Sequence, residues 1–129
     1  MFYIDGGDVY IHRGDTASFD IVFGDSQGSS PNQISAKEVY GINWIPEDGT
    51  PIRFSVKCDT GRLRPVIQKD YNIFNGFVTI DLLSADTGVL PFGEYKWDVR
   101  LSFTDADMID WNTPFNAFSF IVCEVVGNV

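Results

Sequence analysis

The sequence predicts an all-β fold, a sandwich of seven or eight antiparallel strands in a single domain over residues 1–129. Of the 129 residues, 44% are hydrophobic and 15% aromatic, which is enough for one sizeable core. Eleven Phe, five Tyr and three Trp favour pleated, half-buried strands, and twelve Gly and six Pro favour the turns between them. Short alternating segments recur along the chain at the spacing typical of a sandwich.

Two alternating segments near the start are predicted to be strands. They are "DVYIH" (8–12) and "TASFDIVF" (16–23). In the second segment the aromatic and aliphatic side chains share one face, whereas Ser18 and Asp20 share the other. The side chains predicted to face the core are Phe19, Ile21 and Phe23.

The turn between these strands spells Arg13-Gly14-Asp15, a tripeptide that many integrin ligands display on a protruding loop. Here it bridges two closely spaced predicted strands. Gly14 accepts the positive φ that such a turn needs, and an Asp bonds readily to nearby amides. We therefore interpret the tripeptide as a structural turn and not as an adhesion motif.

The segment 24–50 is predicted to be a long, exposed connection with one helical turn in it. Its first part, "GDSQGSSPNQ", has the composition of a loop. Ser35 and Glu38 have the spacing of a capping box and Gly41 follows as a stop, so "SAKEVYG" predicts a single helical turn. The segment is long enough to cover a sheet face or to reach a neighbouring molecule.

The remaining strands are predicted from alternation. "PVIQK" starts with Pro, which suits a sheet edge, and the last segment is apolar on both faces, which suits a central, covered strand or an interface. "SADTG" (84–88) predicts one capped turn between two strands. The predicted strands are "PIRFSVKC" (51–58), "PVIQK" (65–69), "GFVTIDLL" (76–83), "GEYKWDVRLSF" (93–103) and "NAFSFIVCEVV" (116–126).

The only two cysteines, Cys58 and Cys123, lie in strand patterns and not in a metal-ligand or CxxC spacing. The start of the chain carries Asp5 and Asp8 where a signal peptide needs a basic end, so we expect folding in a reducing cytosol. Two free, largely buried thiols are predicted, with Cys58 facing inward. A disulfide between the two sheets is the alternative.

The charge of the chain excludes two classes of partner. Eighteen acidic and nine basic side chains give a formal charge of -9, with a pI near 4.3. Such a surface repels phosphate backbones and anionic headgroups. We therefore expect neither a nucleic acid nor a membrane as the partner.

No pattern for catalysis or for a cofactor is found in the sequence. His12 is the single histidine, and neither a GxSxG elbow nor a Gly-rich phosphate loop is present. Asp105, Asp107 and Asp110 invite a calcium interpretation, but the Gly and Glu of an EF-hand loop are missing, so a solvated hairpin loop is favoured. The prediction is a protein that is not an enzyme and has no metal or cofactor.

Several of these segments together resemble a known family. They are "GDVYIHRGDTASFDIVF", "GTPIRFSVK", "PVIQKD", "GFVTIDLLSADTGVLPFGEYKWDVRLSF" and "FSFIVCEVV". They resemble the immunoglobulin-like domain of virion proteins of tailed phages and prophages, most of all the N-terminal domain of baseplate upper proteins. The segment 24–50 is longer than the pattern of that family.

The resemblance implies an immunoglobulin-like antiparallel β-sandwich that docks onto other virion subunits in a tail, baseplate or capsid-surface assembly, copies of itself included. It also implies a location in the virion after synthesis in the bacterial cytoplasm, and no catalytic residues. The alternative is a carbohydrate-binding sandwich module, in which exposed tryptophans stack on sugars. Trp97 is expected in the core, which leaves Trp44 and Trp111 for that role. The candidate partner-binding residues are Tyr40, Trp44, Trp111, Phe118 and Ile121.

Overall fold

Strands dominate the structure, which confirms the all-β class. The computed structural model describes residues 2–58, 64–105, 108–112 and 118–123, with the backbone alone for 103–105 and 108–112. These residues form ten strands and two short helices. In chain order they are β1 (Phe2–Asp5), β2 (Asp8–His12), β3 (Ala17–Val22), β4 (Gln33–Ser35), α1 (Ala36–Tyr40), β5 (Thr50–Lys57), β6 (Ile67–Ile73), β7 (Phe77–Leu82), α2 (Ser84–Gly88), β8 (Gly93–Asp105), β9 (Met108–Asn112) and β10 (Phe118–Cys123).

The strands form two sheets, and both are mixed. The larger sheet has the order β1-β2-β10-β8-β5-β6, with β9 also paired to β8, and the smaller has the order β4-β3-β7. β10 runs parallel to β2 and β4 parallel to β3, and all other pairs are antiparallel. The prediction of seven or eight purely antiparallel strands is therefore wrong. It missed β1, β4 and β9, which have three to five residues and are too short to show a clear alternation.

The turn at Arg13-Gly14-Asp15 joins the two sheets and does not close a hairpin. β2 belongs to the larger sheet and β3 to the smaller, so the two closely spaced strands that the turn bridges lie in different sheets. Gly14 has φ +84°, as the prediction of a structural turn requires. A four-residue connection can thus cross from one sheet to the other.

The core lies between the two sheets. The Phe19 ring of β3 contacts Phe54 of β5 and Trp97 of β8, with centroid distances of 6.1 and 6.4 Å. Trp97 is fully buried, and its indole Nε1–H donates to the carbonyl of Gly7 at 2.9 Å. The predicted inward positions in β3, β5, β7 and β8 are buried. They include Phe19, Ile21, Phe23, Ile52, Phe54, Val56, Val78, Ile80, Leu82, Tyr95, Trp97, Val99 and Leu101.

The segment 24–50 folds back over the smaller sheet. Asp20, on the face of β3 opposite to Phe19 and Ile21, is fully buried beneath it. The Asp20 carboxylate accepts hydrogen bonds from the amides of Ser29 and Ser30 and, at 2.6 Å, from the Thr79 hydroxyl. The Asp20 amide in turn donates to the carbonyl of Asn32 at 2.9 Å. The first part of the segment is therefore a cover for β3.

The predicted helical turn forms as α1. The Ser35 hydroxyl accepts from the amide of Glu38 at 3.2 Å, and Gly41 ends the helix with φ +75°. These are the N-cap and C′ roles that the sequence predicts for Ser and Gly.

The two cysteines are free thiols, but they are less buried than predicted. Cys58 is exposed and Cys123 is half-buried, so the expectation of largely buried thiols with Cys58 inward is wrong. β5 ends at Lys57, and the alternation that points side chains inward no longer applies one residue later.

β10 is central in the larger sheet, one of the two roles predicted for it. It is hydrogen-bonded to β2 on one side and to β8 on the other. Phe120 and Val122 are buried in the core, and Ile121 lies half-buried on the opposite face.

Candidate docking surfaces

Tyr40 and Phe118, two of the five candidate residues, meet at the edge of the core. Their ring centroids are 5.3 Å apart, and Tyr40 lies 6.4 Å and Phe118 6.2 Å from Trp97. Burial raises the pKa of the Tyr40 hydroxyl above its usual range, and the nearby Asp98 carboxylate raises it further. Tyr40 is therefore neutral at physiological pH, and both rings pack against the core.

Trp44 lies on a groove at one end of the two sheets. Its side chain is 42% exposed, and the groove has a volume of about 470 Å³ and is lined by residues 44–51 and by Ser102. Ser102 is buried, and its hydroxyl has no hydrogen-bond partner among the residues that the structure describes. Trp111 pairs with Ser102 in the β8–β9 register, although its side chain is outside the described part. The fold thus brings the backbone of Trp111 close to the Trp44 groove.

An exposed apolar surface, which the sequence reasoning missed, lies at the opposite end. The exposed apolar side chains there are Leu83, Val89 and Phe92, which are 57, 75 and 50% exposed, and we call these three residues the apolar end. These residues lie between the last residue of β7 and the first of β8. The available signal was the apolar side chains of "LLSADTGVLPFG", which are unusual in a connection.

The apolar end is held by the turn that joins β2 to β3. The Arg13 guanidinium donates through Nε to the carbonyl of Gly88 at 3.0 Å and lies 5.4 Å from the centroid of the Phe92 ring. The buried Thr87 hydroxyl accepts from the amide of Gly14 at 3.0 Å and donates to the carbonyl of Asp15 at 3.2 Å. These contacts join α2 to the turn.

Ile121 belongs to a row of side chains across the outer face of the larger sheet. The registers place Tyr3, Tyr10, Ile121 and Glu94 side by side on β1, β2, β10 and β8, and we call this set the tyrosine row. The two tyrosine rings are stacked, with centroids 4.5 Å apart and planes inclined by 6°. Tyr3 is 46% exposed.

The described part of the chain shows neither a metal site nor a membrane-spanning helix. No group of three or more His, Cys, Asp or Glu side chains there is placed to hold a metal ion. The side chains of Asp105, Asp107 and Asp110 lie outside the described residues. Neither of the two described helices has the length and apolar character to cross a bilayer.

Comparison of the chain with protein-family models, with curated proteins and with solved structures finds no match.

Proposed function

We propose that the chain is a non-enzymatic virion structural protein, an immunoglobulin-like sandwich that docks onto other virion subunits in a tail, baseplate or capsid-surface assembly. The resemblance of its strand and turn segments to the domain in phage virion proteins supports the setting. The observation that carries the docking role is the apolar end, formed by Leu83, Val89 and Phe92.

Burial of the apolar end would stabilise a complex. Covering a large aliphatic or aromatic side chain contributes about 1.5–3 kcal/mol when it passes from full exposure to full burial. The three residues are already half-covered or less, so a neighbour gains part of that amount from each. Exposed apolar surface of this kind is typical of protein–protein contact sites.

The apolar end is also pre-ordered. Its connection is tied to the β2–β3 turn through Thr87 and through the Arg13 guanidinium. Fewer side chains and less backbone then need to be ordered on binding, which lowers the free-energy cost of association.

Incorporation into particles tests the proposal. The double variant Val89→Asp/Phe92→Ser should fold normally, because both positions are exposed, but should be lost from particles purified from the bacterial strain that carries the gene. Phe74→Asp, at the opposite end and 51% exposed, is the matched control and should be incorporated like the wild type. Normal incorporation of the double variant would refute docking through the apolar end.

Carbohydrate binding is a second candidate function, favoured by the exposed position of Trp44 on its groove. An indole face suits a sugar ring, and Ser102, Glu47 and Asp48 supply polar groups along the same groove. A glycan array followed by calorimetry tests this function. It predicts an affinity that Trp44→Ala abolishes and that Phe74→Ala leaves intact, and the absence of any bound glycan would exclude it.

A further inference from the structure

The edge of β1 that faces away from β2 differs from the apolar end in its chemistry. Within the described residues β1 pairs only with β2, and the backbone groups of its other edge have no strand partner among them. Such an edge can accept an additional strand from another protein. Side chains of an added strand would alternate between the outer face of the larger sheet and the core side.

Beside β1 the outer face is aromatic and acidic. Tyr3 ends the tyrosine row at this edge. In the neighbouring row of the outer face, Asp5 of β1 lies directly opposite Asp8 of β2. Like charges in that position destabilise a strand pair, and a cation placed next to them would relieve the repulsion. The pKa of the Tyr10 hydroxyl is raised by burial and then by the charge of Asp8, with a further contribution from Asp5.

The core side of the same edge is apolar. Phe2 and Ile4 are half-buried, and Phe2 stacks on Phe19 with a centroid distance of 5.9 Å. A groove of about 400 Å³ opens beside Phe2. Half of its lining is apolar, with Ala17, Leu82 and Leu83 beside Phe2, and half is polar, with Thr16, Ser18, Asn32 and Asp81.

We propose that β1 takes a strand of a partner protein in which arginine or lysine alternates with apolar residues. The basic side chains lie over Tyr3 and Asp5, and the apolar ones enter the groove beside Phe2. Arginine suits the outer face best, because its planar guanidinium stacks on an aromatic ring and bonds to a carboxylate. Charge complementarity favours such a partner over a second copy of this chain, which carries the same -9 charge.

This inference rests on the proposed function only for its setting, a protein neighbour. Its test uses the isolated chain and a peptide, so failure here leaves the result of particle incorporation unaffected. The probe is the octapeptide (Arg-Val)4, and the comparison peptides are (Glu-Val)4 and (Arg-Gly)4, which remove the charge match and the apolar face in turn.

NMR titration should show shifts confined to β1, β2 and the groove residues 16–18 and 81–83 with (Arg-Val)4, and slower hydrogen exchange of β1 amides. Asp5→Asn should weaken this binding about threefold, the size expected for one cross-strand ion pair. Asp25→Asn removes the same charge from a side chain that is 96% exposed elsewhere, and should leave the affinity unchanged.

Three results would each overturn the inference. They are equal binding of (Arg-Gly)4, shifts scattered over the acidic surface, and no binding of (Arg-Val)4 at millimolar concentration. Dimerisation of the chain with protection of β1 in the absence of peptide would assign the edge to a second copy instead.

Discussion

At the scale of single residues, Asp20 connects strand and loop. It lies on the outward face of β3, yet it is fully buried because the segment 24–50 folds over it. Burial alone raises the pKa of its carboxyl group, but hydrogen bonds from Thr79, Ser30 and Ser29 outweigh burial and hold the pKa below the ordinary value of 3.8. The charged form is therefore the one that the folded state stabilises.

A pH dependence follows for Asp20. A lowered folded pKa contributes stability that is complete above the unfolded value near 3.8 and is lost as the pH falls through the folded pKa. Asp20→Asn should lower the free energy of unfolding at pH 7 by about 1–3 kcal/mol, because it replaces the charge-assisted hydrogen bonds to Asp20 by weaker neutral ones. The free energy of unfolding of the Asp20→Asn variant should also fall less steeply than that of the wild type as the pH is lowered.

Urea unfolding at pH 7, 5 and 3 measures both effects of Asp20→Asn. Asp81→Asn, at an exposed position of the neighbouring strand β7, is the control and should change little. Parallel stability curves for wild type and Asp20→Asn between pH 5 and 3 would contradict this account of Asp20.

Gly14 gives a prediction about backbone strain. It has φ +84°, and a Cβ added to it would meet no atom within 4 Å, so any cost of substitution comes from the backbone conformation. Gly14→Ala should lower the free energy of unfolding by about 1 kcal/mol. Gly88 has no positive φ, so Gly88→Ala should leave the free energy of unfolding nearly unchanged. Thermal unfolding of the two variants therefore separates backbone strain from the mere addition of a methyl group.

At the scale of elements, the joint between α2 and the β2–β3 turn depends on Thr87. Thr87→Val keeps the shape of the side chain but leaves the amide of Gly14 and the carbonyl of Asp15 without this partner. We expect a loss of about 1–3 kcal/mol in the free energy of unfolding. Thr87→Ser keeps the hydroxyl and should recover most of that loss in chemical denaturation, and equal losses in the two variants would contradict the assigned role of the hydroxyl.

The elements also show what a sequence can predict. The inward positions of β5, β7 and β8 were predictable, because alternation within one strand determines which side chains share a face. Strand partners were not predictable in the same way. β2 pairs with β10, and Asp8 reaches the amide of Ser119, which is 111 residues away, so no local pattern records that contact.

The candidate surfaces also depend on contacts between residues that are distant in the sequence. The backbone of Trp111 comes close to the Trp44 groove only through the β8–β9 register and Ser102. The sequence does not predict the apolar end, because the exposure of a side chain in a connection depends on which parts of the chain pack against it. The burial of Asp20 was missed for the same reason.

At the scale of the whole molecule, the two ends differ in chemistry. The Trp44 groove lies at one end of the two sheets. The apolar end lies at the other, where the hydrogen bonds of Thr87 and Arg13 join α2 to the β2–β3 turn. Because distant sites act nearly independently, a substitution at one end should leave binding at the other unchanged. Virion docking and glycan binding can therefore be tested separately on one folded protein.

We propose that this chain is a structural part of a virion, and quantitative mass spectrometry of particles purified through successive density gradients tests this role. A structural subunit should keep a constant ratio to the major head or tail protein through every gradient. A ratio that falls towards zero with each step would contradict a structural role in the virion.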